Sequence, residues 1–324
     1  MPTDTPMKSP LGSTGLEVTP LCIGTSALSD MPDTYGYAVS EERALETIRA
    51  VFDGPINFLD TARSYGFGRS EQRIGTVIRE RGGLPDGFVL GTKADRDLDT
   101  NKFDGAQVRR SVEESMEALG LDHLQLVHLH DPEYCDLDEI MRSGGAIDTL
   151  FALKDEGLID HVGLAAGRVD IMEQCLARAD FEVLLTHNRH TLLNSNAAHL
   201  IDLAASKGIA VLNASPYGSG ILARGTKEYP RYAYQDASDD LLGMVRQMEE
   251  ICERYSVPIG AAALQYSMRD PRVSSTVVGI SRPERIQQNL DFALVEIPDA
   301  IWPELEAISN WDGDPEATRE YLPG

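Results

Sequence analysis

One stretch of the chain decides its fold: Asn57-Phe58-Leu59-Asp60-Thr61-Ala62-Arg63-Ser64-Tyr65-Gly66-Phe67-Gly68-Arg69-Ser70-Glu71. It opens in an apolar run, residues 56–59, that is typical of a short buried strand. Asp60 ends this strand, a glycine-rich turn follows, and apolar side chains recur with helical spacing over residues 69–81. An acid thus closes a strand and Tyr65 lies in the loop above it, which is where α/β proteins usually place their chemistry.

The glycines of this turn do not form a dinucleotide-binding fingerprint. Residues 66–71 read Gly-Phe-Gly-Arg-Ser-Glu, which departs from GxGxxG at its last position. A single match to so short a pattern is weak evidence in any case. We therefore reject a Rossmann phosphate loop here.

The composition is that of a globular protein with room for a large core. The 324 residues are 42% hydrophobic, which suffices for one barrel or two smaller domains. No apolar run is long enough to span a bilayer, and the first residues lack the basic-then-apolar pattern of a signal peptide. We therefore expect a cytoplasmic protein with no membrane partner.

The net charge and the cysteine spacing indicate which partners and which thiol chemistry to expect. The net charge of -23 argues strongly against a nucleic-acid partner. No CxxC spacing occurs, so we expect reduced and mostly structural thiols. The cysteines are Cys22, Cys135, Cys175 and Cys252.

Short apolar runs alternate with helical segments along the chain. The predicted strands are residues 20–24, 56–60, 88–93, 124–130, 161–165, 182–187, 209–214 and 276–279. The predicted helices are residues 40–53, 69–81, 104–119, 145–156, 168–179, 197–207, 237–254 with 259–268, and 283–292. Eight strand-then-helix units predict an α/β fold, a (β/α)8 TIM barrel.

No linker or shift in composition marks a second domain. We predict a single domain over residues 1–324, with the barrel at about 18–293 and a C-terminal extension at 294–324. Residues 11–18 precede the first strand and are expected to form a β-hairpin that plugs the barrel floor.

Two connections at the carboxyl ends of strands are long. They are residues 131–144 after the fourth strand and residues 215–236 after the seventh. Such loops either shape a substrate pocket or merely decorate the surface, and the sequence leaves both open.

Four residues with chemical capacity share one mouth of the predicted barrel. Asp60 and Tyr65 follow the second strand, Lys93 ends the third, and His130 ends the fourth. A buried lysine needs a partner because its charged form must be desolvated, and Asp60 supplies one. Lys93 is then expected to lower the pKa of Tyr65 from about 10.

A tyrosine tuned in this way can protonate a carbonyl oxygen or take a proton from an alcohol. His130 can orient the same oxygen through a hydrogen bond. Taken singly, a structural Asp60–Lys93 pair, a loop tyrosine and a core histidine are ordinary. Their convergence on one rim favours the catalytic interpretation.

These residues belong to a wider set of motifs that resembles the aldo-keto reductase family over about residues 11–289. The most specific motif is Asp60-Thr61-Ala62-x-x-Tyr65-Gly66-x-Gly68-x-Ser70-Glu71-x-x-x-Gly75. The others are Gly91-Thr92-Lys93, Leu119-Gly120-Leu121-Asp122, Ser215-Pro216-x-Gly218-x-Gly220 and Pro283-Glu284-Arg285-Ile286-x-x-Asn289. The resemblance implies a catalytic tetrad of Asp60, Tyr65, Lys93 and His130, which exchanges a hydride between NAD(P)H and a carbonyl.

The resemblance also implies a dinucleotide held across the barrel mouth without a Rossmann fold. A helix start near Ser281 offers amides and hydroxyls that suit an anion. The implied cofactor-binding residues are Gly24, Thr25, Asp60, His187, Ser215, Tyr217, Gly218, Ser219, Gly279, Ser281, Arg285, Gln288 and Asn289.

The chain departs from the family pattern near the nicotinamide. Residues 165–167 read Ala-Ala-Gly where many members have Ser-Asn, His187 replaces a glutamine, and Ala214 replaces a stacking aromatic. A lysine that often meets the 2′-phosphate of NADP appears as Ile280. NAD is therefore slightly favoured over NADP, while Arg282 and Arg285 remain possible phosphate partners.

Other segments resemble a branch of the family that oxidises free aldoses such as L-fucose at C1, giving lactones. These are residues 188–193 and 213–216. In the loop after the seventh strand, Tyr229, Tyr232 and Tyr234 either stack on a sugar or pack as ordinary surface residues. The expected substrate is accordingly an aldose or a similar small polar molecule.

Three other functions stay open. One is a general NADPH-dependent aldehyde or ketone reductase, and another is a non-catalytic barrel that senses the cofactor. The third is a metal-dependent hydrolase using His128, His130, His187 and His190. We predict no metal, because metal-dependent amidohydrolase barrels usually carry His-x-His on the first strand rather than the fourth. The sequence does not give the oligomeric state.

Overall fold

The fold is taken from a computed structural model that describes residues 7–308, 311 and 313–318. The outermost parts of the predicted domain, residues 1–6 and 319–324, lie outside the described residues. The domain bounds at residues 1 and 324 therefore stay a prediction.

Eight parallel strands close into a barrel in the order β12-β3-β4-β5-β6-β7-β8-β9. They are β3 (Leu21–Gly24), β4 (Phe58–Asp60), β5 (Val89–Ala94), β6 (Leu124–His130), β7 (Ile159–Ala166), β8 (Val183–His187), β9 (Ala210–Ala214) and β12 (Val273–Gly279). The predicted (β/α)8 barrel is confirmed. β12 carries a register shift between Val273 and Ser275 where it pairs with β9.

Helices surround the barrel and follow its strands. They are α2 (Glu41–Phe52), α3 (Arg69–Arg81), α4 (Gly105–Leu119), α6 (Ala146–Asp155), α7 (Val169–Arg178), α8 (Ala198–Ser206), α10 (Asp239–Arg254), α11 (Ile259–Met268) and α12 (Glu284–Leu294). Side-chain oxygens of Ser40, Asp104 and Ser238 cap α2, α4 and α10, which satisfies amides that the first helical turn leaves free.

Several short helices and one short pair of strands lie at the ends of the barrel, and they were not predicted from the sequence. They are α1 (Pro32–Tyr35), α5 (Leu137–Met141), α9 (Ile221–Arg224), α13 (Ile301–Ile308) and the pair β10 (Arg231–Tyr232) and β11 (Gln235–Asp236). Most lie in the loops after β3, β6 and β9. These loops therefore carry local order of their own.

The predicted hairpin forms below the barrel, from β1 (Ser9–Pro10) and β2 (Glu17–Val18). Leu11 and Val18 are fully buried and join the apolar cluster inside the barrel, together with Phe58 and Leu126. A larger apolar cluster fills the space between the strands and the helices. The floor is thus closed, and the carboxyl ends of the strands hold the open end.

Gly75 shows why the motif after β4 needs a glycine nearly two turns into α3. A Cβ at this position would lie 2.0 Å from the carbonyl oxygen of Ala118, at the end of α4. The glycine lets α3 and α4 approach closely, which fixes the start of α3 against the barrel. Within the described residues, no helix is long and apolar enough to cross a membrane.

Candidate active site

A buried ion pair lies at the bottom of the barrel mouth. The Nζ of Lys93 donates to Oδ2 of Asp60 at 2.7 Å and to the carbonyl oxygen of Thr61 at 2.6 Å. Its third donor reaches Oη of Tyr65 at 3.2 Å. Lys93 is 1% exposed, so its three partners together compensate the cost of desolvating the ammonium.

The strand ends bring these groups together. Asp60 ends β4 and pairs in register with Gly91 of β5, and Lys93 pairs in register with His128 of β6. Tyr65 reaches back over the mouth from the loop after β4. The structure thus places all four predicted tetrad residues around one cavity.

The pKa of Tyr65 differs from the sequence-based prediction. Enclosure of the hydroxyl, followed by the Asp60 carboxylate, raises this pKa well above its ordinary value. Lys93 was expected to lower it, but its charge is already paired with Asp60. Desolvation decides the direction of the shift, and the Asp60 carboxylate adds to it.

His130 lies between two carboxylates. Its Nδ1 is 2.5 Å from Oδ1 of Asp95, and its Nε2 is 3.6 Å from Oδ1 of Asp131. Burial lowers the pKa of His130, but Asp131 and Asp95 more than offset this, and the net pKa is raised. The imidazole ring stands edge-on to Tyr65, with the ring centroids 5.9 Å apart.

One cavity contains both the predicted tetrad and most of the predicted cofactor-binding residues. Those lining it are Gly24, Asp60, His187, Ser215, Tyr217, Ser219, Gly279, Ser281, Arg285, Gln288 and Asn289. Tyr217 donates a hydrogen bond to Oδ1 of Asn289 at 2.5 Å. This bond joins the loop after β9 to α12 across the cavity wall.

Two of the predicted cofactor-binding residues, Thr25 and Gly218, do not line the cavity. Thr25 donates to the carbonyl oxygen of Asp60 at 3.0 Å and is fully buried. Gly218 has a φ of 58°, and a Cβ there would meet the Tyr232 ring at 2.8 Å. Both positions hold neighbouring loops in place.

The residues that depart from the family pattern lie in two places, the cavity lining and the apolar core. Ala165 and Ala214 line the cavity, where their small side chains leave space. Ile280 is 2% exposed and packs in the apolar cluster under the helices. Its position therefore presents no cation to the cavity.

A segment near the end of the chain forms part of the wall beside β8. Asp314 pairs with the buried Arg189 at 2.5 Å, and Glu316 lies 3.6 Å from the same guanidinium. Glu316 also accepts a hydrogen bond from Asn188 and lies 3.1 Å from Nδ1 of His187. Residues 313–318 thus support the loop that carries His187.

Aromatic side chains form the rim of the cavity. Tyr229 and Tyr234 line it, so two of the three tyrosines considered for sugar stacking face the cavity. The third, Tyr232, does not line the cavity: its ring is 5% exposed and packs 5.7 Å from that of Trp311. The guanidinium of Arg224 lies over the Tyr229 ring at 4.8 Å.

The four histidines of the alternative metal site have other neighbours. The ring of His128 occupies the space that a Cβ on Gly163 would fill, 2.2 Å away, and Nε2 of His190 lies 3.0 Å from Asp270. In the part of the chain that the structure describes, no three His, Cys, Asp or Glu side chains converge as metal ligands.

Comparison with known proteins places the chain in a family. The family model described as aldo/keto reductase matches residues 20–310. The chain belongs to the aldo/keto reductase family. D-threo-aldose 1-dehydrogenase of Pseudomonas sp is 33% identical over 294 residues, which are 83% of this chain and 88% of that protein.

Two further comparisons agree with this. Pyridoxal 4-dehydrogenase of Microbacterium luteolum is 30% identical over 338 residues, which are 93% of this chain and 96% of that protein. An aldo-keto reductase from Bacillus halodurans in its holo form superposes with a TM-score of 0.76 at 22% identity, covering 97% of this chain and 99% of that one. The latter shows the shared fold. The protein is a nicotinamide-dependent oxidoreductase.

The cavity of this aldo/keto reductase fits a nicotinamide dinucleotide. Oδ1 of Asp60 is buried and accepts no hydrogen bond from the described residues, so it is available to a ligand hydroxyl. At the other end, burial and the guanidiniums of Arg282 and Arg224 lower the pKa of Arg285. Three neighbouring arginines, one of which (Arg282) lies 3.9 Å from Glu284, suit an anionic group such as a phosphate of a dinucleotide.

Sequence reasoning missed several residues of this site. Asp95 lies two positions after Lys93, and strand alternation could have placed both on one face. Asp131 directly follows His130 and has a left-handed φ of 45°. Nothing in the sequence pointed to Glu316, which comes from the far end of the chain.

Proposed function

We propose that this aldo/keto reductase oxidises an aldose, or a similar small polar substrate, at C1 with NAD. The product of a cyclic aldose is the lactone. The named relative D-threo-aldose 1-dehydrogenase and the motifs of the aldose-oxidising branch support this substrate class. The cavity supports it as well, because Asp131, His187 and Tyr234 offer polar groups to substrate hydroxyls.

One observation carries the proposal: a lysine ammonium joins a carboxylate and a tyrosine hydroxyl at the bottom of the cavity. Lys93 reaches Asp60 at 2.7 Å and Tyr65 at 3.2 Å. A buried cation beside a phenol stabilises the phenolate relative to the same phenol without it. This arrangement suits Tyr65 for proton exchange with a bound alcohol or carbonyl.

Tyr65 acts as the acid and base. A bound nicotinamide cofactor supplies the hydride acceptor in the oxidation and the hydride donor in the reverse reaction. In the oxidation, the C1 hydroxyl gives its proton to Tyr65 in the deprotonated form, which Lys93 stabilises. In the reduction, protonated Tyr65 donates to the carbonyl oxygen, and its raised pKa makes this form dominant near neutral pH.

The other tetrad members support this proton transfer. Asp60 holds Lys93 in place and keeps its charge paired. His130 positions the substrate oxygen by a hydrogen bond. The two rings stand edge to face with their centroids 5.9 Å apart, and both residues line the cavity.

The cofactor residues extend away from the tetrad. We assign Asp60, His187 and Ser215 to the nicotinamide riboside half, and Arg285, Gln288 and Asn289 to the adenosine half. NAD is favoured over NADP because Ile280 is turned into the core. Arg282 and Arg285 are the cations that could meet a 2′-phosphate.

The test is a parallel binding titration of NAD and NADP, followed by nicotinamide absorbance with a substrate panel. The panel holds several aldoses, pyridoxal and simple aldehydes. Turnover of an aldose with NAD is expected. Turnover of simple aldehydes alone with NADPH would favour the general reductase, and binding without turnover would favour the cofactor sensor.

A further inference from the structure

Asp95 connects two residues of the proposed tetrad from behind the cavity. Its Oδ1 lies 2.5 Å from Nδ1 of His130, and its Oδ2 accepts a hydrogen bond from the backbone amide of Ser64 at 2.8 Å. Ser64 immediately precedes Tyr65. A single carboxylate therefore holds both the imidazole of His130 and the loop that carries Tyr65.

Asp95 is itself firmly held. Its backbone amide donates to Oγ of Ser111 at 2.9 Å, and its carbonyl oxygen accepts from Nε2 of Gln107 at 2.9 Å. It is 2% exposed. With both ends of the residue fixed by α4, its carboxylate has little freedom to turn away from His130.

The hydrogen bond determines which nitrogen of His130 carries a proton. An ionised carboxylate only accepts, so Nδ1 must be the donor. We propose that Asp95 is a positioning residue that fixes neutral His130 in the Nδ1–H tautomer, so that its Nε2 toward the substrate is an acceptor. In that state Nε2 cannot donate to a carbonyl oxygen.

His130 then has a different function in each charge state. Neutral His130 accepts a hydrogen bond from a substrate hydroxyl other than C1–OH, such as a neighbouring hydroxyl of an aldose, because the C1 proton goes to Tyr65. Doubly protonated His130 donates to a carbonyl oxygen, which suits reduction. This catalytic consequence rests on the proposed function, whereas the tautomer does not.

Several charged or titratable groups face His130 and enter its titration. They are Asp95 after β5, Asp131 after β6, Lys93 on β5, His128 on β6 and Tyr65 in the loop after β4. Burial lowers the pKa of His128 well below its ordinary value, so it adds no charge near neutral pH. The two carboxylates outweigh Lys93, in agreement with the raised pKa of His130.

The decisive measurement is the tautomer itself. In protein labelled with ¹⁵N-histidine, long-range proton–nitrogen correlation distinguishes a protonated from an unprotonated ring nitrogen, and His130→Gln identifies the His130 signals. We expect Nδ1 to stay protonated at alkaline pH, with a titration above the ordinary histidine range. Neutral His130 protonated at Nε2 would overturn the proposal.

Asp95→Asn is the matching variant. Its amide oxygen can accept from Ser64 while its NH2 group donates to Nδ1, so both contacts survive and the tautomer reverses. We expect Nε2–H in the spectrum and a lower His130 pKa. Asp99→Asn, an exposed carboxylate-to-amide change in the same loop, should leave both unchanged.

Activity gives an independent measurement. For oxidation, Asp95→Asn should lower kcat/KM about tenfold, as for one lost hydrogen bond. For reduction, the rate of the wild-type protein should fall as the pH rises through the His130 titration, and the rate of the variant should not. An unchanged tautomer together with unchanged pH profiles in Asp95→Asn would overturn the role of Asp95. If no panel substrate turns over, the proposed function fails, while the wild-type spectrum still decides the tautomer.

Discussion

The ammonium of Lys93 lies 3.2 Å from the hydroxyl oxygen of Tyr65, at the bottom of a cavity that both residues line. The same ammonium is 2.7 Å from Asp60, and the pair is almost fully buried. This relationship links stability to catalysis, because removing Lys93, Asp60 or Tyr65 changes the charge environment of the other two side chains.

Tyr65→Phe should lower turnover by about 10²–10⁴-fold, since it removes the proposed acid and base. Cofactor binding should stay close to normal, because the ring is retained. Nicotinamide absorbance and a binding titration measure the two effects. Tyr255→Phe, far from the cavity, is the control, and full activity of Tyr65→Phe would rule out the mechanism.

Lys93→Met should remove activity and destabilise the fold by about 3–5 kcal/mol, because Asp60 is left as a buried unpaired charge. Denaturant unfolding measures the loss. The double variant Asp60→Asn with Lys93→Met should recover much of the stability and none of the activity. Lys154→Met, which breaks the more exposed pair with Glu182, should cost about 1 kcal/mol or less.

Glu71 should make the protein less stable as the pH rises. Burial raises its pKa from 4.5 to about 7, although Thr92 hydrogen-bonds to it at 2.6 Å. Between about pH 4.5 and 7 the native state holds this proton and the unfolded state loses it, so stability falls with rising pH by about 3 kcal/mol in total.

Glu71→Gln removes the titrating group and keeps an acceptor for Thr92. We expect the variant to match the parent near pH 4.5 and to exceed its unfolding free energy above pH 7. Unfolding in urea across this range measures both proteins. A parallel pH dependence in the two would contradict the assignment to Glu71.

Arg285→Ala should weaken NAD binding by about 1.5–3 kcal/mol, the usual size of a hydrogen bond to a charged group. Fluorescence or calorimetric titration measures the change. Arg254→Ala, on the exposed face of α10, should have no effect. A loss for NADP much larger than for NAD would place Arg285 at the 2′-phosphate instead of the shared part of the cofactor.

The barrel and the position of the tetrad could be predicted from the sequence, because the order and direction of the strands determine both. Parallel strands of a closed barrel end at one mouth, so residues at or next to the ends of β4, β5 and β6 must meet there. Asp60, Lys93 and His130 needed no knowledge of side-chain packing to be brought together.

Other features depended on packing that the sequence does not encode locally. The pKa of Tyr65 is raised by burial of the hydroxyl and then by the Asp60 carboxylate, and both effects depend on distances of a few ångströms. Tyr232 turned inward because Trp311, almost eighty residues later, covers it. Glu316 reaches His187 from a still greater distance along the chain.

The pairing of Arg189 with Asp314 and Glu316 has a consequence for the order of synthesis. The guanidinium is 2% exposed, and both carboxylate partners are made more than a hundred residues later. Burying it without them would cost several kcal/mol. We therefore expect the loop after β8 to stay hydrated on the ribosome until residues 314–316 have been made, so that this wall of the cavity forms late.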